Sequence, residues 1–176
     1  MKYLLILLIA LSVGCSTTKK DEESANKVSS TFLGGSIKVS YTKDGQFDFL
    51  TSTANAPVTS QLPSARDEAV TVATIKARRQ ISEFISTEVQ SERFISSVSN
   101  SLQNSEVDSK NTNSSNNSKI AYEVRENIKQ KSTAILQGTF VENEQLDTNS
   151  GLIVVTVRAG RKESDLAKSI KQSVSK

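Results

Sequence analysis

Ile37, Val39 and Tyr41 alternate with Lys38 and Ser40, the period of a half-buried strand. Phe47, Phe49 and Leu50 form a second β-prone run. Lys43-Asp44-Gly45 between them contains Asp-Gly, a strong hairpin signal. The spacing predicts a hairpin of strands 36–42 and 46–53. Ile37, Val39 and Tyr41 then share one side, with Phe47 and Phe49 across the pair. Pro57 and Pro63 bracket a loop.

The period changes after Pro63. Ala65, Ala69, Ala73, Ala77 and Ile81 fall four apart, and Phe84, Ile85 and Val89 continue the stripe. This predicts a long helix whose alanine face allows close approach to a sheet or another helix. Ser64, with Asp67 three residues on, reads as its cap. A break is expected near Gln90–Ser91, after which Ile95, Val98 and Leu102 resume helical spacing. Residues 103–118 (QNSEVDSKNTNSSNNS) have no apolar period, so a disordered loop is expected there.

Ile120, Val124 and Ile128 restore the helical period over Lys119–Lys131. Thr133–Val141 and Leu152–Ala159 are predicted strands, joined by a turn at Asp147–Gly151. In the later strand Ile153, Val155, Val157 and Ala159 take one face, and Leu152, Val154, Thr156 and Arg158 the other. Gly138 falls inside the predicted partner strand, a sign of a bulge or a close approach. Ser164 caps a final predicted helix with Leu166, Ile170 and Val174 on one side. The order ββ-αα-ββ-α predicts an α+β fold: an antiparallel sheet of two β-hairpins, covered on one face by helices. One domain is expected over residues 31–176.

Composition narrows the chemistry. The 176 residues include no His and no Trp, and a single Cys. Histidine-based triads, dyads and metal sites are excluded, as are an internal disulfide and a CxxC pair. Asp67-Glu68 opens a helix, where carboxylates suit the dipole. Glu83, Glu88 and Glu92 are expected on a solvated helix, paired with Arg79 or Lys76. Glu142, Glu144 and Asp147 lack the ligand spacing of a calcium loop. Leu33-Gly34-Gly35-Ser36 is a glycine pair before a strand, not a phosphate loop. No GxSxG nucleophile elbow occurs, nor SxxK with its partner motifs. The reading is of a protein that is not an enzyme, with no catalytic residues, no metal and no cofactor. The formal net charge of +3 and the lack of basic runs with interleaved aromatics argue against nucleic acid. Arg158, Arg161 and Lys162 form one small basic patch.

The first fifteen residues, MKYLLILLIALSVGC, supply a basic start at Lys2, an apolar run from Leu4 to Leu11 and a small-residue approach to Cys15. The run is shorter than the ~20 residues of a membrane span. The segment resembles the lipobox of bacterial lipoproteins, with Ser12 where leucine is usual. That resemblance implies cleavage between Gly14 and Cys15 and lipidation of Cys15, by palmitate among other acyl groups. Residues 1–14 are then a signal peptide, and residues 15–30 (CSTTKKDEESANKVSS) a lipidated cysteine and flexible tether. Ser16 resembles the sorting signal for the outer membrane. The implied location is the outer membrane, lipid-anchored and facing the periplasm.

SARDEAVTVATIKARRQISEFI and the later STAILQGTFVENEQLD and GLIVVTVRAG resemble the small outer-membrane lipoproteins that include the flagellar lipoprotein FlgP. Leu136, Gly138 and Val141 match the L-x-G-x-x-V pattern of that group, over roughly residues 64–159. The resemblance implies a non-catalytic protein with a structural or assembly role in a cell-envelope complex, flagellum-associated in the family, with self-association or envelope proteins as partners. The alternative is a periplasmic binding lipoprotein that holds an apolar ligand or contacts murein.

Overall fold

The computed structural model describes residues 26–105 and 114–160. Five strands form one antiparallel sheet. These are β1 (Lys27–Phe32), β2 (Ile37–Thr42), β3 (Phe47–Pro57), β4 (Phe140–Asp147) and β5 (Leu152–Gly160), in the spatial order β1-β2-β3-β5-β4. Three helices, α1 (Pro63–Ser86), α2 (Glu92–Ser105) and α3 (Ser114–Gln137), complete the α+β fold. The two predicted hairpins, β2–β3 and β4–β5, join through the β3–β5 ladder.

One face of the sheet builds the core. Val28, Phe32, Ile37, Val39, Tyr41, Phe47 and Leu50 meet Ile153, Val155, Val157 and Ala159 in a single buried cluster with the helices. The predicted division of β5 holds, since Leu152, Val154, Thr156 and Arg158 are only half-buried on the other face. The first hairpin differs in one respect. Tyr41 pairs with Phe47 but Ser40 pairs with Phe49, with a register shift between them. The extra residue, Asp48, turns Phe49 to the open face and makes Leu50 the next core residue.

The alanine stripe sets where α1 lies. Ala69, Ala73 and Ala77 are buried, and the helix packs on β3 and β5. On the facing strand the inward residues are Ser52, Ala54 and Ala56, also small. Ser52 donates a 2.7 Å hydrogen bond to Gln80 Oε1 of the helix. At one corner Phe32 of β1 lies 5.0 Å from Phe84 and 5.3 Å from Phe94, ring centroid to centroid. These rings join β1 to the end of α1 and the start of α2. The expected break comes as a short 3₁₀ turn, Glu88–Gln90. Ser91 Oγ then accepts from the Phe94 N–H at 3.3 Å and caps α2.

Five boundaries differ from the sequence expectation. β3 runs on to Pro57 instead of ending at residue 53, because Ala54–Pro57 pair with Leu152–Val155 of β5. Residues 27–30, assigned to the tether, begin β1; their pattern was faint because the inward residue between Val28 and Phe32 is Ser30, a buried hydroxyl. Ser64 does not cap α1. Pro63 takes the first helical position after an extended Leu62, where its missing N–H costs nothing. The Asn/Ser tract is helical at both margins, Gln103–Ser105 in α2 and Ser114–Ser118 in α3; residues 106–113 lie outside the described residues. Finally, Thr133–Gln137 is helix, not strand. Ile135 falls seven residues after Ile128, on the stripe of Ala121 and Val124, and all four are buried. Gly138 therefore lies in the turn between α3 and β4, where its N–H donates to the Ala134 carbonyl at 2.9 Å.

Candidate functional site

Strand β4 is one of the two edges of the sheet, with β1 at the other. Among the described residues it pairs with β5 alone, and seven of its eight residues are exposed, on both faces. By register, Val141, Glu144 and Leu146 lie beside Val157, Val155 and Ile153 on the helix side. The helices leave them uncovered: Val141 is 39% exposed and Leu146 38%. Phe140, opposite Arg158, presents its ring on the open side.

Apolar exposure gathers here. Of the nine large apolar residues exposed among those described, Leu136, Phe140, Val141 and Leu146 lie in or next to β4, and Leu62 borders the groove beside it. The groove runs between the start of α1 and the β4–β5 turn. Val58, Leu62, Pro63, Arg66 and Leu146 line it, and its volume is about 670 Å³. A free edge with apolar side chains is a template for an added strand.

Charges on β4 are tied to neighbours. Glu144 accepts from Arg66 at 3.2 Å and Glu142 from Arg158 at 2.8 Å. Asp147 accepts from the Asn149 N–H at 3.0 Å and the Ser150 hydroxyl at 2.6 Å. The Ser150 bond, then that to Asn149, lowers the Asp147 pKa below its usual 3.8. The three carboxylates thus serve three separate contacts. Among the described residues no three His, Cys, Asp or Glu side chains group as a metal site would require.

Of the basic patch, Arg158 is described and engaged with Glu142; Arg161 and Lys162 lie outside the described residues. Arg79 pairs with Glu83 at 2.7 Å as expected. Lys76 instead donates to the Asn55 carbonyl at 3.2 Å, and Glu92 is 3.6 Å from Arg125. Gly14, Cys15, the tether to residue 25 and the predicted final helix also lie outside the described residues. Among the described residues, no helix is long and apolar enough to cross a membrane.

The residues of L-x-G-x-x-V fall on three different structures. Leu136 closes α3, Gly138 makes the turn, and Val141 stands on the edge strand. The exposed edge escaped the sequence reading, although a signal was present. Glu142, Glu144 and Asp147 place acidic groups at both parities of β4, so neither face reads as a dry one. Comparison with protein-family models, with curated proteins and with solved structures finds no match for this chain.

Proposed function

We propose that the chain is a lipid-anchored outer-membrane lipoprotein whose periplasm-facing domain is non-catalytic and acts through protein–protein contact in a cell-envelope complex. The observation that carries this reading is MKYLLILLIALSVGC, in which the only cysteine of the chain follows a short apolar run and a small-residue approach. Several acyl chains on Cys15 would hold the protein firmly, where a single chain binds marginally. The uncovered β4 supplies the surface through which such a protein would engage a partner.

Labelling with a palmitate analogue tests the anchor. Label should enter the parent chain and be lost from Cys15→Ala; equal labelling of both sinks the reading. Val141→Lys and Leu146→Lys test the surface. They should leave folding intact and abolish crosslinking to envelope partners.

A groove of about 670 Å³ beside Leu62 and Leu146 favours a second reading, a binding lipoprotein for an apolar ligand or murein. The space between sheet and helices is filled by Phe32, Phe84, Phe94 and their neighbours, so a ligand would use this surface groove. Mass measurement after gentle detergent extraction separates the two. A discrete high-order oligomer supports assembly, and a monomer supports binding.

A further inference from the structure

Among the described residues, free strand edge occurs at β4, at β1 and along the lower half of β3. β2 stops at Ile37, opposite Ser52, so Thr53–Pro57 of β3 has β5 on one side only. The other side is guarded. There the Thr53 N–H donates to the Ser36 carbonyl at 2.8 Å, and Lys76 Nζ donates to the Asn55 carbonyl at 3.2 Å. Pro57 has no N–H to offer. Lysine and proline at an edge keep further strands from joining. On β1 the helix-side residues Val28, Ser30 and Phe32 are already buried beneath the helices. β4 contains neither lysine nor proline, and Val141 and Leu146 stay exposed on its helix side.

The ladder to β5 gives β4 a second property. Glu142 is the extra residue of a bulge between Val141 and Asn143. Counted in ladder levels, β4 therefore reads Phe140, Val141, Asn143, Glu144, Gln145, Leu146, Asp147. Glu144 is the middle level. An amide side chain follows it in either direction, and an apolar one follows each amide. Without the bulge Val141 would fall on the open face. With it, Val141 and Leu146 lie two levels either side of Glu144 and share its face. The edge thus reads nearly alike in both directions, as a two-fold contact between identical surfaces requires.

We propose that β4 pairs antiparallel with β4 of a second copy of this chain, on a two-fold axis at Glu144. The two five-stranded sheets then become one. This rests on the reading of β4 as the partner-binding surface, and it names the partner. Val141 of each copy stands beside Leu146 of the other, Asn143 beside Gln145, and Phe140 and Asp147 meet at the ends. The one like-charged pair is Glu144 with its own counterpart. Each Glu144 already holds Arg66 of its own chain at 3.2 Å, so two carboxylates meet together with two guanidiniums. Glu142 and Asp147 are likewise engaged within their own chain. Seven levels of edge are small beside a standard interface of about 1,600 Å². The pair should therefore form at concentrations on the order of tens of micromolar, and anchoring on one membrane would raise the effective concentration.

The test places cysteines along β4 in the whole chain carrying Cys15→Ser, which removes its only native thiol. The chain is held at about 100 µM in mild detergent, with copper phenanthroline catalysing oxidation by air. Facing residues of an antiparallel pair have Cβ atoms about 4.5–5.5 Å apart, close to the separation a disulfide needs. Glu144→Cys should therefore form a disulfide dimer by itself. Val141→Cys mixed with Leu146→Cys should form the mixed dimer, and this pair leaves Glu144 and Arg66 untouched. Val141→Cys alone and Phe140→Cys alone should not crosslink, because their own counterparts lie about 13 and 20 Å away along the strand. Leu146→Lys alters two contacts at once across the axis. It should weaken association of the otherwise unchanged chain about tenfold in sedimentation. Crosslinking of Phe140→Cys as readily as Glu144→Cys overturns the proposal, as does a Glu144→Cys chain that stays monomeric. If the edge serves a different protein, Glu144→Cys stays monomeric while Val141→Lys still abolishes crosslinking to envelope partners. The broader reading then stands and this one falls.

Discussion

The guanidinium of Arg158 lies over the ring of Phe49, 3.8 Å from its centroid, while its Nη1 bonds Glu142 at 2.8 Å. Three strands meet in this contact, β3, β5 and β4. Stacking is worth about 0.5–1 kcal/mol at an exposed site, and a surface ion pair adds about 0.2–1. Arg158→Ala should therefore cost about 1–2 kcal/mol in urea unfolding. Arg158→Lys keeps the charge but loses the flat stack, and should recover less than half of that loss.

Tyr41 carries the polar centre of the core. Its hydroxyl and that of Ser30 are 2.7 Å apart, and Ser30 bonds Ser101 at 2.8 Å. Burial raises the Tyr41 pKa above the usual 10.0, partly offset by its hydroxyl partners. The neutral phenol is thus the form the fold favours. Its contribution to stability is complete below pH 10 and is lost as pH rises through the elevated folded pKa. Tyr41→Phe should cost about 1–2 kcal/mol near neutral pH and flatten the alkaline part of the stability curve. A variant that falls as steeply as the parent above pH 10 would assign that fall to other groups.

Gly45 has φ +78°, and a Cβ there would meet Glu123 Cβ at 2.9 Å. Asn127 Nδ2 also bonds the Gly45 carbonyl at 3.1 Å, which holds the hairpin tip on α3. At Gly34, φ is +67° with nothing within 4 Å. The left-handed backbone alone costs about 1–2 kcal/mol for an L side chain. Gly34→Ala should show only that cost, and Gly45→Ala clearly more, by thermal unfolding of the two variants side by side.

Ala73 and Ala77 are completely buried where α1 meets the sheet. Extra methylenes in such a contact cost about 1–3 kcal/mol. Ala77→Leu should fall in that range. Val72→Leu, on the exposed side of the same helix, should stay within about 0.5 kcal/mol of the parent. Equal melting temperatures for the two would mean that the helix can lift off the sheet without cost.

The strongly periodic elements were legible. The alanine stripe predicts α1 and its closeness to the sheet, and Asp44-Gly45 predicts the first turn. What was hidden depended on context. β1 hid because Ser30 faces the core, where Tyr41 and Ser101 satisfy it. Thr133–Gln137 reads as strand from β-prone residues, yet burial of Ala134 and Ile135 keeps it helical. Phe49 left its expected face through one extra residue, Asp48, which no alternation can foretell. At the candidate site, the lipidation pattern and the acidic residues of β4 were visible. That β4 would be an edge was not, because the order of strands depends on β1 joining the opposite side.

Strand β4 also carries its own occupancy gauge. Among the described residues its ladder runs on one side only, so alternate amides are tied to β5 and the others have no strand beside them. Amide hydrogen exchange along Phe140–Asp147 should alternate slow and fast, and should lose step at Glu142, where the register shifts between Val141 and Asn143. A strand added by a partner would slow the fast half and leave the slow half almost unchanged. The free edge would thus report, residue by residue, when it is engaged.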